Sequence, residues 1–282
     1  MKEVEQMEQK VNEVRGLYLK LDLQSVAQKL GRPLVISNYV CDLNDVIAKK
    51  DKGGEFQVAH ELKNASDWRL FQELTAQSDV IITGAGYLKR YASSGEKAEN
   101  VIDQFSKGGE FASLGDWREG HNLKRNPDIV VVSRSLDFEI PAAAFKDNRK
   151  VIIFTTTDGA FSQKAADYQK IGAEVVSAGK VGVDGKVMIR NLSRRGYKVI
   201  KMTTGPRVLD ILLKANVMDE IFITRVQREI KGKPADVQTV LGEKKLENLQ
   251  GFKYKRLFYQ DEVIAHDGHM ISQDFGVYKK TG

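Results

Sequence analysis

The sequence has few of the features that mark secreted, membrane-embedded or disulfide-stabilised proteins. Its 282 residues contain a single cysteine, Cys41. An intrachain disulfide is therefore excluded, and a reducing compartment is indicated. No apolar run approaches the roughly 20 residues that cross a bilayer, and the opening residues MKEVEQMEQK lack the apolar core of a secretory signal. We expect a cytoplasmic protein without membrane contact.

The sequence also lacks a segment in which charged residues of one sign are concentrated. The chain carries 44 Lys and Arg against 38 Asp and Glu, for a net charge of +6. Basic and acidic residues are interspersed, and the chain lacks the dense cluster of basic residues that is typical of a nucleic-acid-binding protein. The four histidines lack metal-ligand spacing, and one cysteine cannot form a zinc-deaminase centre. A P-loop and a nucleophile elbow are also absent.

What is present is a regular alternation of apolar strands and amphipathic helices. Residues 3–22 have the apolar spacing of one amphipathic helix, which we place in an extension over residues 1–30. Residues 31–282 are predicted to form one domain. The segments DVIIT, DIVVV and KVIIF predict buried parallel strands, and two β-rich segments end the chain. The predicted α/β fold has a mixed sheet with a parallel centre, an antiparallel C-terminal hairpin and helices on both faces.

Three local predictions are specific enough to test. Asn64 or Ser66 is predicted to cap a helix that runs to Gln77. Residues 86–127 are predicted to be a long loop containing one short helix. Asp158 is predicted to cap a helix whose packed face consists of Phe161, Ala165, Tyr168 and Ile171.

The turns that follow the strands are the places to look for a ligand, because open α/β sheets bind at the carboxyl ends of their strands. Thr204, Gly205 and Pro206 follow one predicted strand and open a helix. Proline at the first helical position leaves the helix N-terminus accessible to a pyrophosphate, and Arg207 could add a contact. A capped turn without any ligand explains this segment equally well.

A second turn is Thr83-Gly84-Ala85-Gly86, whose two glycines let the backbone approach a ligand. The third glycine of the dinucleotide fingerprint is replaced by Lys89, so the Rossmann motif fails. An ordinary tight turn is the favoured interpretation unless other turns agree.

Two further strand ends carry hydroxyl groups and an arginine. Ser133-Arg134 suits a ribose 2′-phosphate, which favours NADPH over NADH, and Thr155-Thr156 follows the next strand. A solvated loop arginine is the alternative.

Taken in order, these segments resemble a known family. The stretches that carry the likeness are SDVIITGAGY, IVVVSRSLDFEIP, KVIIFTTTDG and LSRRGYKVIKMTTGPRVLDILLKANVMDEIFIT. They are similar to the pyrimidine reductase of riboflavin biosynthesis, which forms the C-terminal half of the bifunctional deaminase-reductase and has a dihydrofolate-reductase-like fold. The likeness extends over about residues 33–282.

The resemblance implies a chemistry. Family members use NADPH to reduce the ribosylamino group of a pyrimidine 5′-phosphate, with the hydride delivered to the sugar C1′, and they are commonly homodimers. By the same resemblance, residues 83–86 lie along the cofactor, Ser133 and Arg134 meet the 2′-phosphate, and residues 204–206 meet the pyrophosphate.

The departures from the family concern its substrate site. The family's Ser-x-Asp-Gly corresponds to residues 42–45, so Asn44 stands where aspartate is expected. An amide is neither acid nor base near neutral pH, and Asp42 or Asp45 would have to substitute. Thr204 replaces a glycine of the family. A non-catalytic member that binds a nucleotide is therefore the alternative to a reductase.

Overall fold

The computed structural model describes residues 2–94 and 102–281. The helices of this part are α1 Lys2–Val14, α2 Leu23–Leu30, α3 Ala65–Ala76, α4 Ala85–Ser94, α5 Ala112–Gly120, α6 Thr157–Ala160, α7 Gln163–Lys170, α8 Gly185–Arg194 and α9 Pro206–Lys214. The strands are β1 Leu34–Cys41, β2 Val46–Lys50, β3 Phe56–Val58, β4 Val80–Gly84, β5 Asp128–Val132, β6 Val151–Thr155, β7 Glu174–Ser177, β8 Val199–Met202, β9 Glu220–Val226, β10 Val237–Thr239, β11 Phe252–Ile264 and β12 Met270–Lys280.

The chain forms two compact units. The first takes in Met1–Leu21, Ile36–Phe71 and Met218–Gly282, and the second takes in Asp22–Val35 and Gln72–Val217. The predicted division of the chain at residue 30 stays a prediction.

The first unit combines parallel and antiparallel pairing. Strand β1 runs parallel to β9, with Ile36 opposite Glu220, and β12 runs antiparallel to β9. The hairpin partner β11 pairs antiparallel with β12. A small antiparallel sheet in the order β10-β2-β3 belongs to the same unit. The sequence does not predict these three strands, because they are three to five residues long and only partly apolar.

The second unit contains five strands in the order β8-β4-β5-β6-β7. Every pair in this order is parallel, so the five carboxyl ends lie along one edge. Strands β8, β4, β5 and β6 are almost completely buried, as their apolar runs predict, whereas β7, at the edge of this order, is only partly buried. The predicted mixed α/β fold with a parallel sheet and a C-terminal antiparallel hairpin is confirmed.

The predicted helix over residues 3–22 is wrong in its extent. The first helix ends at Val14, and Gly16 adopts a φ of +80°, which a helix cannot continue. A short 3-10 turn at Leu19–Leu21 and the separate helix α2 follow, and Gly31 ends α2 in the left-handed conformation.

The region after β4 also differs from the prediction. The chain passes directly from Gly84 into α4, and α5 lies further on, so the region contains two helices where one short helix was predicted. The part of that loop at residues 95–101 lies outside the described residues.

Asn64, not Ser66, caps α3, because its side-chain oxygen accepts from the Asp67 N–H at 2.9 Å.

Asp158 does not cap a helix. Thr156 caps the short helix α6, and Ser162 caps α7 through the N–H of Ala165. The predicted packed face is half right, since Ala165 and Tyr168 are buried while Phe161 is 87% exposed and Ile171 52% exposed. The break between the two helices rotates Phe161 off that face.

Candidate functional site

The predicted cofactor-binding residues all lie at, or directly after, the carboxyl ends of four adjacent strands of the second unit. Along the edge the order is the turn after β8, the β4–α4 junction, the turn after β5 and the turn after β6. Neighbouring strands lie about 4.8 Å apart, so the four tips form a row rather than a single point. A row of this kind suits an extended ligand.

The turn after β8 is held against β4 and leads into a helix. The N–H and the hydroxyl of Thr203 donate to the Ile82 carbonyl at 2.9 and 3.1 Å. The α9 N-cap is Gly205, which provides no side-chain cap, and Pro206 follows it. The first N–H groups of a helix have no partner within it, so the next residues, Arg207 and Val208, present their amides and the positive end of the helix dipole at this edge. The Arg207 side chain is exposed.

The β4–α4 junction places a second helix N-terminus beside the first. Gly84 ends the strand and Ala85 begins the helix, so no loop separates them. The φ of Gly84 lies outside the left-handed region, and a Cβ at this position would meet only the Thr204 methyl, at 3.7 Å. Neither backbone conformation nor packing requires a glycine here. Its lack of a side chain leaves the strand tip open to a ligand.

The turn after β5 positions one hydroxyl and one guanidinium. Ser133 is buried, and its Oγ accepts from the Leu136 N–H at 3.1 Å. A hydroxyl that accepts can still donate, so its proton remains available to a phosphate oxygen. Arg134 is exposed on the same turn.

The two threonines after β6 face their own helix. Thr155 is fully buried, and its Oγ1 has no hydrogen-bond partner among the described residues. This oxygen lies under Gly159, where an added Cβ would collide with it. The Thr156 hydroxyl accepts from the Gly159 N–H at 3.1 Å. Their predicted contact with a cofactor stays a prediction, and the contact observed for Thr156 is that of the α6 N-cap.

The three predicted catalytic residues lie in the first unit, at the turn between β1 and β2. Asp42 is fully buried there. Its Oδ1 accepts from the N–H groups of Asn44 and Val46, at 2.7 and 2.8 Å, and its Oδ2 accepts from that of Ile230, at 2.8 Å. Both carboxylate oxygens are therefore committed to backbone groups.

Asp45 is committed in a similar way. Its carboxylate pairs with Arg225 Nη1 at 2.8 Å and accepts from the Leu246 N–H at 2.9 Å. It adopts a φ of +64°, the conformation expected where the related family has glycine. Asn44 alone is exposed, and its carbonyl and side-chain oxygens accept from Lys245 Nζ.

Residues outside the predictions also shape the site. Met202 is fully buried at the end of β8, and its sulfur accepts from both the N–H and the hydroxyl of Thr204. No sequence pattern distinguishes this methionine from an ordinary strand residue, so only the structure reveals its position.

Within residues 2–94 and 102–281, the structure offers neither a cluster of metal ligands nor a helix able to span a membrane. No group of three or more His, Cys, Asp or Glu side chains there could hold a metal ion. No described helix combines the length and apolarity needed to cross a bilayer.

Comparison with known proteins identifies relatives of this architecture. The family described as RibD C-terminal domain matches residues 33–227, more than half of the chain. A 2,5-diamino-6-ribosylamino-4(3H)-pyrimidinone 5′-phosphate reductase of Archaeoglobus fulgidus is 23% identical over 192 residues, which cover 68% of this chain and 79% of that protein. The reductase of the same name from Aquifex aeolicus is 22% identical over 152 residues, covering 53% of this chain and 67% of that protein.

Solved structures show the same fold. A pyrimidine reductase-like protein from Corynebacterium diphtheriae superposes with a TM-score of 0.61 at 17% identity, over 89% of this chain and 92% of that one. The riboflavin biosynthesis reductase Rib7 of Saccharomyces cerevisiae gives a TM-score of 0.53 at 11% identity, over 89% and 90% of the two chains.

Proposed function

This chain belongs to the family described as RibD C-terminal domain, and from that premise we propose that it is an NADPH-dependent reductase acting on a pyrimidine ribotide. Two curated relatives are named as reductases of such a compound. The observation that carries the proposal is the pair of adjacent strand tips, β8 and β4, that lead directly into the N-termini of α9 and α4.

The residues of this edge fit a pyrophosphate. Two linked phosphates require several donors and an approach without side chains, and helix N-termini provide both. Gly84 and Gly205 supply the close approach, and the backbone N–H groups of the first turns of α4 and α9 supply the donors. Thr83, Ala85 and Gly86 complete the β4–α4 junction, and Arg207 adds positive charge.

The neighbouring turn fits a ribose 2′-phosphate. Ser133 and Arg134 follow β5, the strand beside β4, about 4.8 Å along the edge. A guanidinium binds a phosphate through a planar fork, and NADH lacks this phosphate. The proposal therefore assigns the preference for NADPH to Arg134.

When bound, the reduced nicotinamide would supply a hydride, and the protein binds and orients the reactants. Asp42 and Asp45 keep their carboxylates within the β1–β2 turn. We assign them a structural function and assign Asn44, which is exposed, a hydrogen bond to the pyrimidine or the ribose.

The test is a titration of the protein with NADPH, followed by NADPH oxidation with the ribosylaminopyrimidine phosphate named for the relatives. We expect Arg134→Ala to weaken NADPH binding about tenfold or more while leaving NADH binding unchanged. Arg190→Ala is the matched control, because Arg190 is also exposed and lies on α8. A wild-type protein that binds neither dinucleotide contradicts the proposal.

A specific observation favours a second candidate, a non-catalytic nucleotide-binding member of the family. Asp42 and Asp45 are bound within their turn, and the third position is an asparagine, so the turn offers no uncommitted carboxylate. This candidate predicts NADPH binding without product at high enzyme concentration. Detection of the reduced ribitylamino product by mass spectrometry excludes it.

The family resemblance also implies a homodimer in the cytoplasm, and both belong to the proposal. Sedimentation of the full chain should give about twice the mass of 31.6 kDa. A monomer at micromolar concentration contradicts this part and leaves the assignment of the cofactor edge unaffected.

A further inference from the structure

Two hydrogen-bond donors of one residue converge on a single atom at the cofactor edge. The N–H and the Oγ1 of Thr204 each lie 3.1 Å from Met202 Sδ. The hydroxyl also lies 3.4 Å from the Gly205 carbonyl, to which it can donate. A backbone amide and a neighbouring hydroxyl aimed at one point form the arrangement that binds an oxygen of an anion.

The atom at that point is a weak acceptor. A thioether sulfur accepts hydrogen bonds poorly, whereas a phosphate oxygen accepts charge-assisted bonds that are about twice as strong as neutral ones. The two Thr204 donors therefore form stronger hydrogen bonds with a phosphate oxygen than with the sulfur, which favours binding of the anion. Methionine is also suited to such an exchange, because three rotatable bonds let its terminus change position without moving the strand.

The position of Thr204 connects this pair to the proposed pyrophosphate site. Thr204 immediately precedes the α9 N-cap, Gly205, and its methyl group is the nearest atom to the open side of Gly84. Thr204 thus lies between the tip of β4 and the N-terminus of α9.

We propose that Met202 Sδ is a stand-in acceptor in the ligand-free protein, and that a phosphate oxygen of the dinucleotide displaces it and takes both Thr204 donors. Thr204 is then a phosphate ligand. Met202 is a positioning residue, and the free energy needed to displace its side chain lowers the affinity for the dinucleotide. This inference rests on the proposed function and concerns a threonine where the related family has glycine.

The experiment uses the full chain labelled with 13C on the methionine methyl groups, of which there are six. NADPH and, separately, inorganic pyrophosphate are titrated while the methyl signals are recorded, and Met202→Leu assigns the signal. We expect the Met202 signal to shift with both ligands. Met202→Leu keeps the volume but removes the acceptor, so we expect NADPH to bind about fivefold more tightly, the equivalent of one weak hydrogen bond.

Two further variants complete the design. Thr204→Val keeps the shape and removes the hydroxyl, and we expect it to bind both ligands about tenfold more weakly. Met188→Leu is the matched control, because Met188 is equally buried but lies within α8. It should leave both affinities unchanged.

The outcomes separate this inference from the proposed function. NADPH binding with a stationary Met202 signal, and with wild-type affinity in Met202→Leu and Thr204→Val, overturns the inference and leaves the proposed function intact. If the wild-type protein binds neither NADPH nor pyrophosphate, both are overturned. The wild-type signal provides the answer even if a variant fails to fold.

Discussion

Gly84 lies at the tip of β4 and Gly159 lies just beyond the tip of β6, two parallel strands separated by β5. The two residues are glycine for opposite reasons. A side chain at 159 would collide with the Thr155 hydroxyl and crowd Thr156, so the fold itself requires this glycine. A side chain at 84 would meet one methyl group at an ordinary contact distance of 3.7 Å. The glycine at position 84 is thus explained by a ligand that approaches the strand tip, not by the packing of the protein itself.

This contrast gives a prediction. We expect Gly84→Ala to leave the free energy of unfolding within about 0.5 kcal/mol of wild type and to weaken NADPH binding about tenfold, because the methyl group blocks the approach to the backbone. Gly159→Ala, the control, should cost about 1–3 kcal/mol through overpacking. Urea unfolding and NADPH titration measure the two effects. A destabilised Gly84→Ala variant would show that the fold needs this glycine.

Cys41 gives a second prediction at this scale. Burial raises the pKa of its thiol from 9.0 to about 12, an effect that the nearby Arg225 partly opposes. The reactive species is the thiolate, so the native protein should resist thiol reagents at pH 8 and react fully once unfolded. Because the folded pKa is the higher one, the thiol contributes stability below pH 9 that is lost as the pH rises towards 12. Rapid labelling of native protein would contradict the observed burial.

At the scale of elements, the C-terminal end of α3 depends on a side chain from another helix. Arg118 of α5 is almost completely buried. Its Nη1 donates to the carbonyls of Thr75, Ala76 and Ser78, and its Nε donates to that of Lys124. The last carbonyls of a helix have no partner within it. This guanidinium supplies a donor to the carbonyls of Ala76 and Ser78, and to that of Thr75, which also accepts from the Ser78 N–H at 3.1 Å.

We therefore expect Arg118→Leu to lower the free energy of unfolding by about 3 kcal/mol, since several buried carbonyls lose their donor together. Arg190→Ala, on the surface of α8, should change it by less than about 0.5 kcal/mol. Chemical denaturation of both variants provides the measurement. Equal stabilities would mean that other groups satisfy these carbonyls.

At the scale of the whole molecule, the N-terminal segment belongs to the core of the first unit. Val14 and Tyr18 are fully buried, and the Tyr18 ring lies 5.1 Å from that of Phe222 on β9. The Gln260 side chain of β11 donates to the Lys10 carbonyl of α1. Segments from both ends of the chain therefore pack together in one unit.

We expect Tyr18→Ala to cost about 3 kcal/mol or more, because it removes a large buried ring from the core. Val4→Ser is the control, because Val4 is 67% exposed on α1 and should tolerate a polar side chain. Urea unfolding of the two variants decides between a core element and a dispensable extension. A Tyr18→Ala variant as stable as wild type would favour the extension.

The sequence by itself determined the strands of the parallel sheet and the positions of their tips. The segments DVIIT and DIVVV each contain a short, continuous run of β-branched apolar residues, which is the pattern of a strand buried on both faces. The order of strands and helices also predicts that the turns at Gly84, Arg134 and Gly205 lie on the same edge of the sheet, because parallel strands place their carboxyl ends on one edge.

Only the tertiary structure decided what the individual side chains contact. The sequence makes Asp42 and Asp45 candidate acids. In the structure Asp42 accepts from the distant Ile230 N–H, and Asp45 contacts the distant residues Arg225 and Leu246. The same holds for Met202 beneath Thr204 and for the Thr155 hydroxyl beneath α6. Periodicity reports which face of an element is buried. The partner of a buried polar group depends on contacts between residues far apart in the chain, and a local pattern carries no information about them.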